Sequence, residues 1–310
     1  MRLPARPIAL AVAALALLAA CGSSQSPTPS PSLAATGSGQ PSVIPIQITS
    51  QFGVGDNRTL FTLTDPTGLK QVAGPDRSLT IGYQGPNGET IPPVKQEFIW
   101  AIEGVNGVYV GHTHFPTAGN WTAMFATDAP GSPEERLQYS FDVLQKVNVV
   151  SPGEGAPSVK TPTLADAGGD VSKISTDPKP VPAFYQTSED AALAAHKPFV
   201  LVFATPKFCQ SSVCGPTLDK LKPVAAGHPE MTFINVEPYQ LDDSSGTLQP
   251  VLTNGSLTPV EATNVFKLSS EPFVFVVGAD GKVSSSFELV FSPEEIEAAI
   301  KAVESPATSG

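Results

Sequence analysis

Basic residues are scarce in this sequence, which has 18 Lys and Arg against 29 Asp and Glu and a formal net charge of −11. An acidic chain of this kind argues against nucleic acid as a partner and against electrostatic docking on anionic lipid. Long apolar runs are lacking too, because Ile8–Ala20, at about 13 residues, is too short to cross a bilayer as a helix. Cysteine occurs at only three positions, Cys21, Cys209 and Cys214. Any thiol chemistry therefore rests on these residues.

The N-terminal segment has the pattern of an export signal. Two arginines and no acid precede the apolar run, which ends in small residues, as a secretory signal does. The run closes with Leu18-Ala19-Ala20-Cys21, which resembles the lipobox of bacterial lipoproteins. The resemblance implies that residues 1–20 are a lipoprotein signal peptide and that Cys21 becomes the lipid-attached first residue of the mature chain. We therefore expect a protein of the cell envelope, anchored in the bilayer by acyl chains on the extracytoplasmic side.

Composition divides the rest of the chain into four parts. Residues 21–42 are rich in Ser, Pro, Thr and Gly, and we expect them to form a disordered tether. A second such segment, residues 150–184, predicts a linker. The two regions that follow these segments, 43–149 and 185–305, each exceed a hundred residues and are long enough to bury a core of their own.

The first region, 43–149, predicts an all-β fold. Short alternating or aromatic-rich runs are separated by turn signals, a pattern typical of an antiparallel β-sandwich. The passage Gly107–Trp121 resembles a hairpin from the immunoglobulin-like modules of exported bacterial proteins. That resemblance implies an immunoglobulin-like sandwich and attaches no activity to it. The predicted strands are Val43–Ser50, Thr59–Thr64, Ser78–Tyr83, Glu97–Ile102, Val108–Phe115, Trp121–Phe125 and Leu137–Leu144.

The second region, 185–305, alternates predicted helices with predicted strands, as α/β proteins do. Helix starts are predicted after Ser188, at Pro216, near Thr258 and at Ser292, where Ser292-Pro-Glu-Glu295 forms a capping box. The predicted strands are Phe199–Phe203, Met231–Val236, Phe273–Val277 and Val283–Leu289.

This order of elements, with a cysteine pair after the first strong strand, resembles the thioredoxin fold. Gly215-Pro216 follows Cys214, and Pro272 stands just before the predicted hairpin, where thioredoxins keep a cis-proline beside the active sulfurs. The resemblance implies thiol–disulfide exchange through Cys209 and Cys214, with Pro272 beside them. The chain departs from the family in its four intervening residues, in the missing tryptophan before the first cysteine, and in the absence of an acid from Phe199–Phe203.

The four-residue gap limits how the two sulfurs can meet. On one α-helix, Cys209 and Cys214 would be separated by about 7.5 Å of rise, whereas a disulfide tolerates Cα separations only up to about 7 Å. Either Cys209 lies in a loop ahead of the helix or oxidation unwinds a turn, and we favour the loop. Amides at the helix start then stabilise a thiolate. We expect Cys209 to be the solvent-facing nucleophile and Cys214 the resolving thiol.

His112 and His114 are the other candidate ligands. They stand two apart on a predicted strand and so share one face, where they could begin a copper or zinc site if a neighbour supplied a third ligand. The sequence shows no third ligand, so we expect neither a resident metal nor another cofactor.

The leading hypothesis is a lipid-anchored thiol–disulfide oxidoreductase. Its partners would be thiols or disulfides of exported proteins and a membrane redox partner. The first alternative is a non-catalytic binding lipoprotein whose disulfide is structural, since an oxidising compartment favours such bonds. A further alternative is a copper-handling protein that combines the paired histidines with the thiols.

Overall fold

The computed structural model describes residues 33–35 and 40–304. Strands predominate over helices, as the prediction of a β-rich protein requires. The first half of the chain contributes strands β1 to β10, which are Leu33–Ala35, Ile44–Gln47, Phe52–Gly53, Gly55–Thr64, Ser78–Gln84, Thr90–Lys95, Glu97–Ile102, Asn106–Phe115, Gly119–Asp128 and Glu135–Leu144.

These strands form two sheets over one shared core. One sheet has the order β1-β10-β9-β5-β6, with β3 paired in parallel to β10, and the other has the order β2-β4-β8-β7. Alternate residues of β9 are buried, because successive side chains of a strand point to opposite faces. The core is aromatic, and includes Phe52, Phe61, Tyr83, Phe115, Trp121 and Phe125.

All seven predicted strands of this region are present, and three strands were not predicted. Strand β6 contains Pro92 and Pro93, which suggest a turn in the sequence, but it lies at the edge of its sheet, where proline is tolerated. Strand β3 has only two residues. Strand β1 falls within 21–42, the predicted tether, and its three residues pair antiparallel with β10 through the backbone.

The second half of the chain contains the main helices. Helices α1 to α4 are Glu189–Ala194, Cys214–Gly227, Glu261–Val265 and Pro293–Glu304. Strands β11 and β12 are Phe199–Phe203 and Thr232–Val236, and β17 and β18 are Phe273–Val277 and Val283–Glu288. Between β12 and α3 lie four two-residue strands, β13 to β16, which are Leu241–Asp242, Gln249–Pro250, Leu252–Thr253 and Ser256–Leu257.

A four-stranded sheet of order β12-β11-β17-β18 organises this half. Strand β11 is parallel to β12 and antiparallel to β17. Every residue of β11 and of β17 is buried, because helices cover both faces of the sheet. Helices α2 and α4 supply Leu218, Leu221, Ile296 and Ile300 to one side. The other side is covered by α1, α3 and the residue that follows α3, through Ala192, Ala262 and Phe266.

The segment 150–184, predicted as a linker, packs against this half of the chain. It holds two short 3₁₀ helices, Val171–Lys173 and Pro182–Tyr185. Val150 and Val159 join the core on one side of the sheet, and Phe184 joins the core on the other. The segment therefore contributes apolar side chains to the cores on both sides of the sheet.

The two halves of the chain meet at an apolar junction. The outer face of the β2-β4-β8-β7 sheet contributes Leu60, Ile99 and Val110, which pack with Val213 and Val290. Val213 immediately precedes Cys214. The junction therefore contacts the loop that carries the cysteine pair.

Candidate functional site

The cysteine pair forms a disulfide at the start of α2. The Cα atoms of Cys209 and Cys214 lie 6.0 Å apart, within the range that a disulfide allows. Helix α2 begins at Cys214, and Cys209 precedes it in a loop. The loop arrangement predicted from the spacing is thus the one observed. Ser212 within the loop has a φ of 64°, in the left-handed region that residues other than glycine rarely adopt.

The two sulfur-bearing residues differ in exposure. Cys214 is fully buried, with no accessible surface, whereas Cys209 is only partly buried. The amide of Cys214 donates a hydrogen bond to Sγ of Cys209 at 3.2 Å, and Oγ of Ser211 lies 3.3 Å from the same sulfur. A helix-start amide aimed at Sγ favours negative charge there. Because Cys209 alone is partly exposed to solvent, an incoming thiolate can reach Cys209 and not Cys214.

The segment before β17 lies against this disulfide. The peptide bond between Glu271 and Pro272 is cis, the isomer that the resemblance implies for Pro272. Oγ of Ser211 donates a hydrogen bond to the carbonyl oxygen of Glu271 at 2.6 Å. This bond ties the cysteine loop to the segment that carries Pro272.

Glu271 places a buried carboxylate beside the sulfurs. One of its carboxylate oxygens and the two Sγ atoms of Cys209 and Cys214 all lie within 4.8 Å of one another. The side chain is anchored at both oxygens, because the backbone N–H of Gln210 donates to Oε1 at 2.8 Å and the hydroxyl of Tyr239 donates to Oε2 at 2.6 Å. Burial, together with the Glu271 hydrogen bond and charge, raises the pKa of Tyr239, so this hydroxyl keeps its proton.

Sequence reasoning missed Glu271 as a site residue. The thioredoxin resemblance implies an acid on the strand before the cysteines, and Phe199–Phe203 has none. The acid comes instead from the loop before β17, the strand that pairs with β11. Its position next to Pro272 was the available signal, since that proline was already expected near the sulfurs.

The histidine pair lies elsewhere, on β8. His112 and His114 are both exposed, and Nδ1 of His114 lies 2.7 Å from Oδ1 of Asp56. No third ligand joins them: among residues 40–304, the one set of three ligand-bearing side chains within metal-binding reach is Cys209, Cys214 and Glu271.

The lipid-attachment residue Cys21 and the signal 1–20 lie outside the described residues. Within the described ranges, no helix is both long and apolar enough to span a membrane. No family model matches the chain, and no curated protein matches it.

Proposed function

We propose that this protein is an exported, lipid-anchored thiol–disulfide oxidoreductase that acts on other exported proteins through Cys209 and Cys214. The fold proposed for its second half is thioredoxin-like. The strand order β12-β11-β17-β18, the helices on both faces and the cysteine pair at the start of α2 support that assignment. The two sheets of the first half support an immunoglobulin-like sandwich. This sandwich contacts the loop that carries the cysteines through Val213.

The unequal exposure of the two cysteines is the observation that carries this proposal. A substrate thiolate attacks Sγ of Cys209. A bond forms between the substrate sulfur and Sγ of Cys209, and the bond between Cys209 and Cys214 breaks. The electron pair of the broken bond leaves on Cys214, which takes up a proton. The second thiol of the substrate then loses its proton and attacks the substrate sulfur of the mixed disulfide. This step releases an oxidised substrate and a reduced Cys209, and the reverse sequence oxidises the protein.

Glu271 is positioned to handle the proton of Cys214. A thiol must lose its proton before it can attack a mixed disulfide, and Cys214 is fully buried in the disulfide form of the protein. The carboxylate of Glu271 lies within 4.8 Å of Sγ of Cys214 and is held in place by Gln210 and Tyr239. Glu271 therefore acts as the proton acceptor, in place of the acid that thioredoxins carry on the strand equivalent to β11.

Reduction of insulin by a small dithiol, with this protein as catalyst, tests the proposal. Wild-type protein should accelerate the reaction, and Cys209→Ser should abolish the acceleration. Cys214→Ser should retain attack by Cys209 and accumulate a mixed disulfide, because its resolving thiol is missing. Equal activity in wild type and Cys209→Ser would refute the proposal.

A second candidate is a binding lipoprotein whose disulfide only staples the loop. The packing of Val213 into the junction favours it, because a loop clamped on one side has less freedom to open. The reduction potential separates the two functions. A value below about −300 mV would indicate a structural staple, and a higher value would indicate an exchanging pair.

A further inference from the structure

Three groups that bind metals converge at the cysteine pair. These are the Sγ atoms of Cys209 and Cys214 and a carboxylate oxygen of Glu271, all within 4.8 Å of one another. While the disulfide is intact, its sulfurs are bonded to each other and are not thiolate ligands. The three groups can act together as ligands only when the disulfide is reduced.

Charge makes this reduced cluster suited to a cation. Reduction followed by deprotonation places two thiolates beside the carboxylate of Glu271, which is only 5 % exposed, and Cys214 is fully buried. Negative groups buried together are costly unless a positive charge compensates them. The hydrogen bonds to the Glu271 carboxylate come from the backbone N–H of Gln210 and the Tyr239 hydroxyl, and both donors are neutral. A divalent cation would balance most of this charge.

The carboxylate is already oriented as metal ligands usually are. Outer hydrogen bonds that fix the direction of a ligating carboxylate are typical of protein metal sites. Here Gln210 and Tyr239 each hold one oxygen of Glu271, at 2.8 and 2.6 Å. Gln210 also donates from Nε2 to the hydroxyl of Tyr239 at 2.9 Å. The Gln210 side chain therefore helps to hold the Tyr239 hydroxyl in place, while the Gln210 backbone holds the carboxylate directly.

We propose that the reduced protein binds one divalent cation of the zinc class through Cys209, Cys214 and Glu271. Both thiols lose their protons to water, two metal–sulfur bonds and one metal–oxygen bond form, and no electron is transferred. Zinc binds sulfur at about 2.3 Å and carboxylate oxygen at about 2.0 to 2.2 Å, with water as a fourth ligand. In such a site the ligand atoms stand roughly 3.6 to 3.8 Å apart, so the sulfurs separate as the disulfide opens. The bound metal blocks both thiols from exchange.

The test is a metal titration of the mature full-length protein after reduction with a phosphine under anaerobic conditions. Co²⁺ serves as the spectroscopic probe, and Zn²⁺ is then added to displace it. We expect one equivalent of Co²⁺ to give a thiolate-to-metal charge-transfer band that Zn²⁺ removes. Cys209→Ser should lose most of the band. Tyr239→Phe should weaken affinity about tenfold, as loss of a supporting hydrogen bond does, and Glu271→Gln should weaken it at least as much.

The double variant His112→Ala/His114→Ala is the matched control, because it removes the other pair of candidate ligands. It should bind Co²⁺ as wild type does. The absence of a charge-transfer band in wild type with two free thiols, counted beforehand, would overturn the proposal. Unchanged affinity in Glu271→Gln or, if that variant does not fold, in Tyr239→Phe would also overturn it, because two thiolates would then suffice.

This inference depends on the proposed function in one respect: thiol–disulfide exchange is what reduces the disulfide in the cell. Chemical reduction supplies the same dithiol in the titration. Metal binding without insulin reduction would therefore count against the oxidoreductase alone, and insulin reduction without metal binding would count against the metal site alone.

Discussion

Arg58 on β4 and Glu295 on α4 form a bidentate ion pair between the two halves of the chain. Nε of Arg58 lies 2.6 Å from Oε1 of Glu295, and Nη2 lies 2.8 Å from Oε2. The side chains are only 13 % and 17 % exposed, and the guanidinium also lies over the ring of Phe287, 5.6 Å from its centroid. Burial raises the pKa of Glu295, but the hydrogen bond and charge of Arg58 outweigh it, so the pKa is lowered.

Replacing Arg58 with Met should destabilise the protein, because Glu295 would keep a largely buried charge without its partner. Breaking a fully buried pair costs 3 to 5 kcal/mol, and partial exposure reduces this to about 2 kcal/mol. Urea unfolding at pH 7 measures the change. Lys160→Met is the matched control, because Lys160 pairs with Asp166 at 3.5 Å with both side chains exposed. If the two variants lost equal stability, the buried pair would have no special role.

Replacing Glu271 with Gln should slow the attack of Cys214 on a mixed disulfide about 100-fold, the usual contribution of a positioned proton acceptor. In the variant, the rate should rise about tenfold per pH unit, because hydroxide must then form the thiolate. Rapid-mixing measurements with a preformed mixed disulfide at several pH values would show both effects. Glu237→Gln is the control, because Glu237 is also buried but lies outside the sulfur cluster. A wild-type pH profile in Glu271→Gln would contradict the assigned role.

Stability should fall as the pH rises from about 4.5 to about 7. Burial raises the pKa of Glu189 from 4.5 to about 7, outweighing the hydrogen bond from the amide of Val159, and burial also raises the pKa of Glu237 to about 7. In this window the folded state keeps protons that the unfolded state has lost, so the free energy of unfolding decreases with pH and levels off above it. Glu189→Gln should remove about 3 kcal/mol of this decrease. Urea unfolding between pH 4.5 and 8 is the measurement, and an unaltered slope in the variant would contradict the prediction.

Replacing Val213 with Ala should loosen the junction beside the disulfide. Val213 is 6 % exposed and packs with Leu60, Ile99 and Val110, so truncation should cost about 1 to 2 kcal/mol. Because Val213 adjoins Cys214, reduction of the disulfide by a small dithiol should also become faster. Val105→Ala, at a side chain 63 % exposed, is the control and should change stability by less than about 0.5 kcal/mol. Unchanged stability and unchanged reduction rate in Val213→Ala would show that the sheet does not brace the loop.

Local patterns in the sequence were sufficient for several features of the second half. The run Phe199–Phe203 is an uninterrupted set of apolar and aromatic residues, and it forms the strand at its predicted bounds. The capping box is present, since the amide of Ser292 donates to Glu295 at 2.9 Å and the amide of Glu295 donates back to Oγ of Ser292 at 3.2 Å. Both signals act over a few residues, where propensity and capping decide the structure.

Helix geometry excluded a bridge between Cys209 and Cys214 within one intact helix and left two arrangements, a loop ahead of α2 or an unwound turn; the structure has the loop. Three other features depend on tertiary contacts and not on local sequence. They are the burial of one cysteine and not the other, the carboxylate of Glu271 beside both sulfurs, and the pairing of Arg58 with Glu295. The contacts involved join residues about 60 or more positions apart in the chain. The pairing of β11 with β17 and the docking of the β2-β4-β8-β7 sheet against the cysteine loop create them, and no local pattern specifies either. The sequence determined that a thiol pair stands at the start of a helix, and only the tertiary structure decided which sulfur faces solvent and which acid lies beside it.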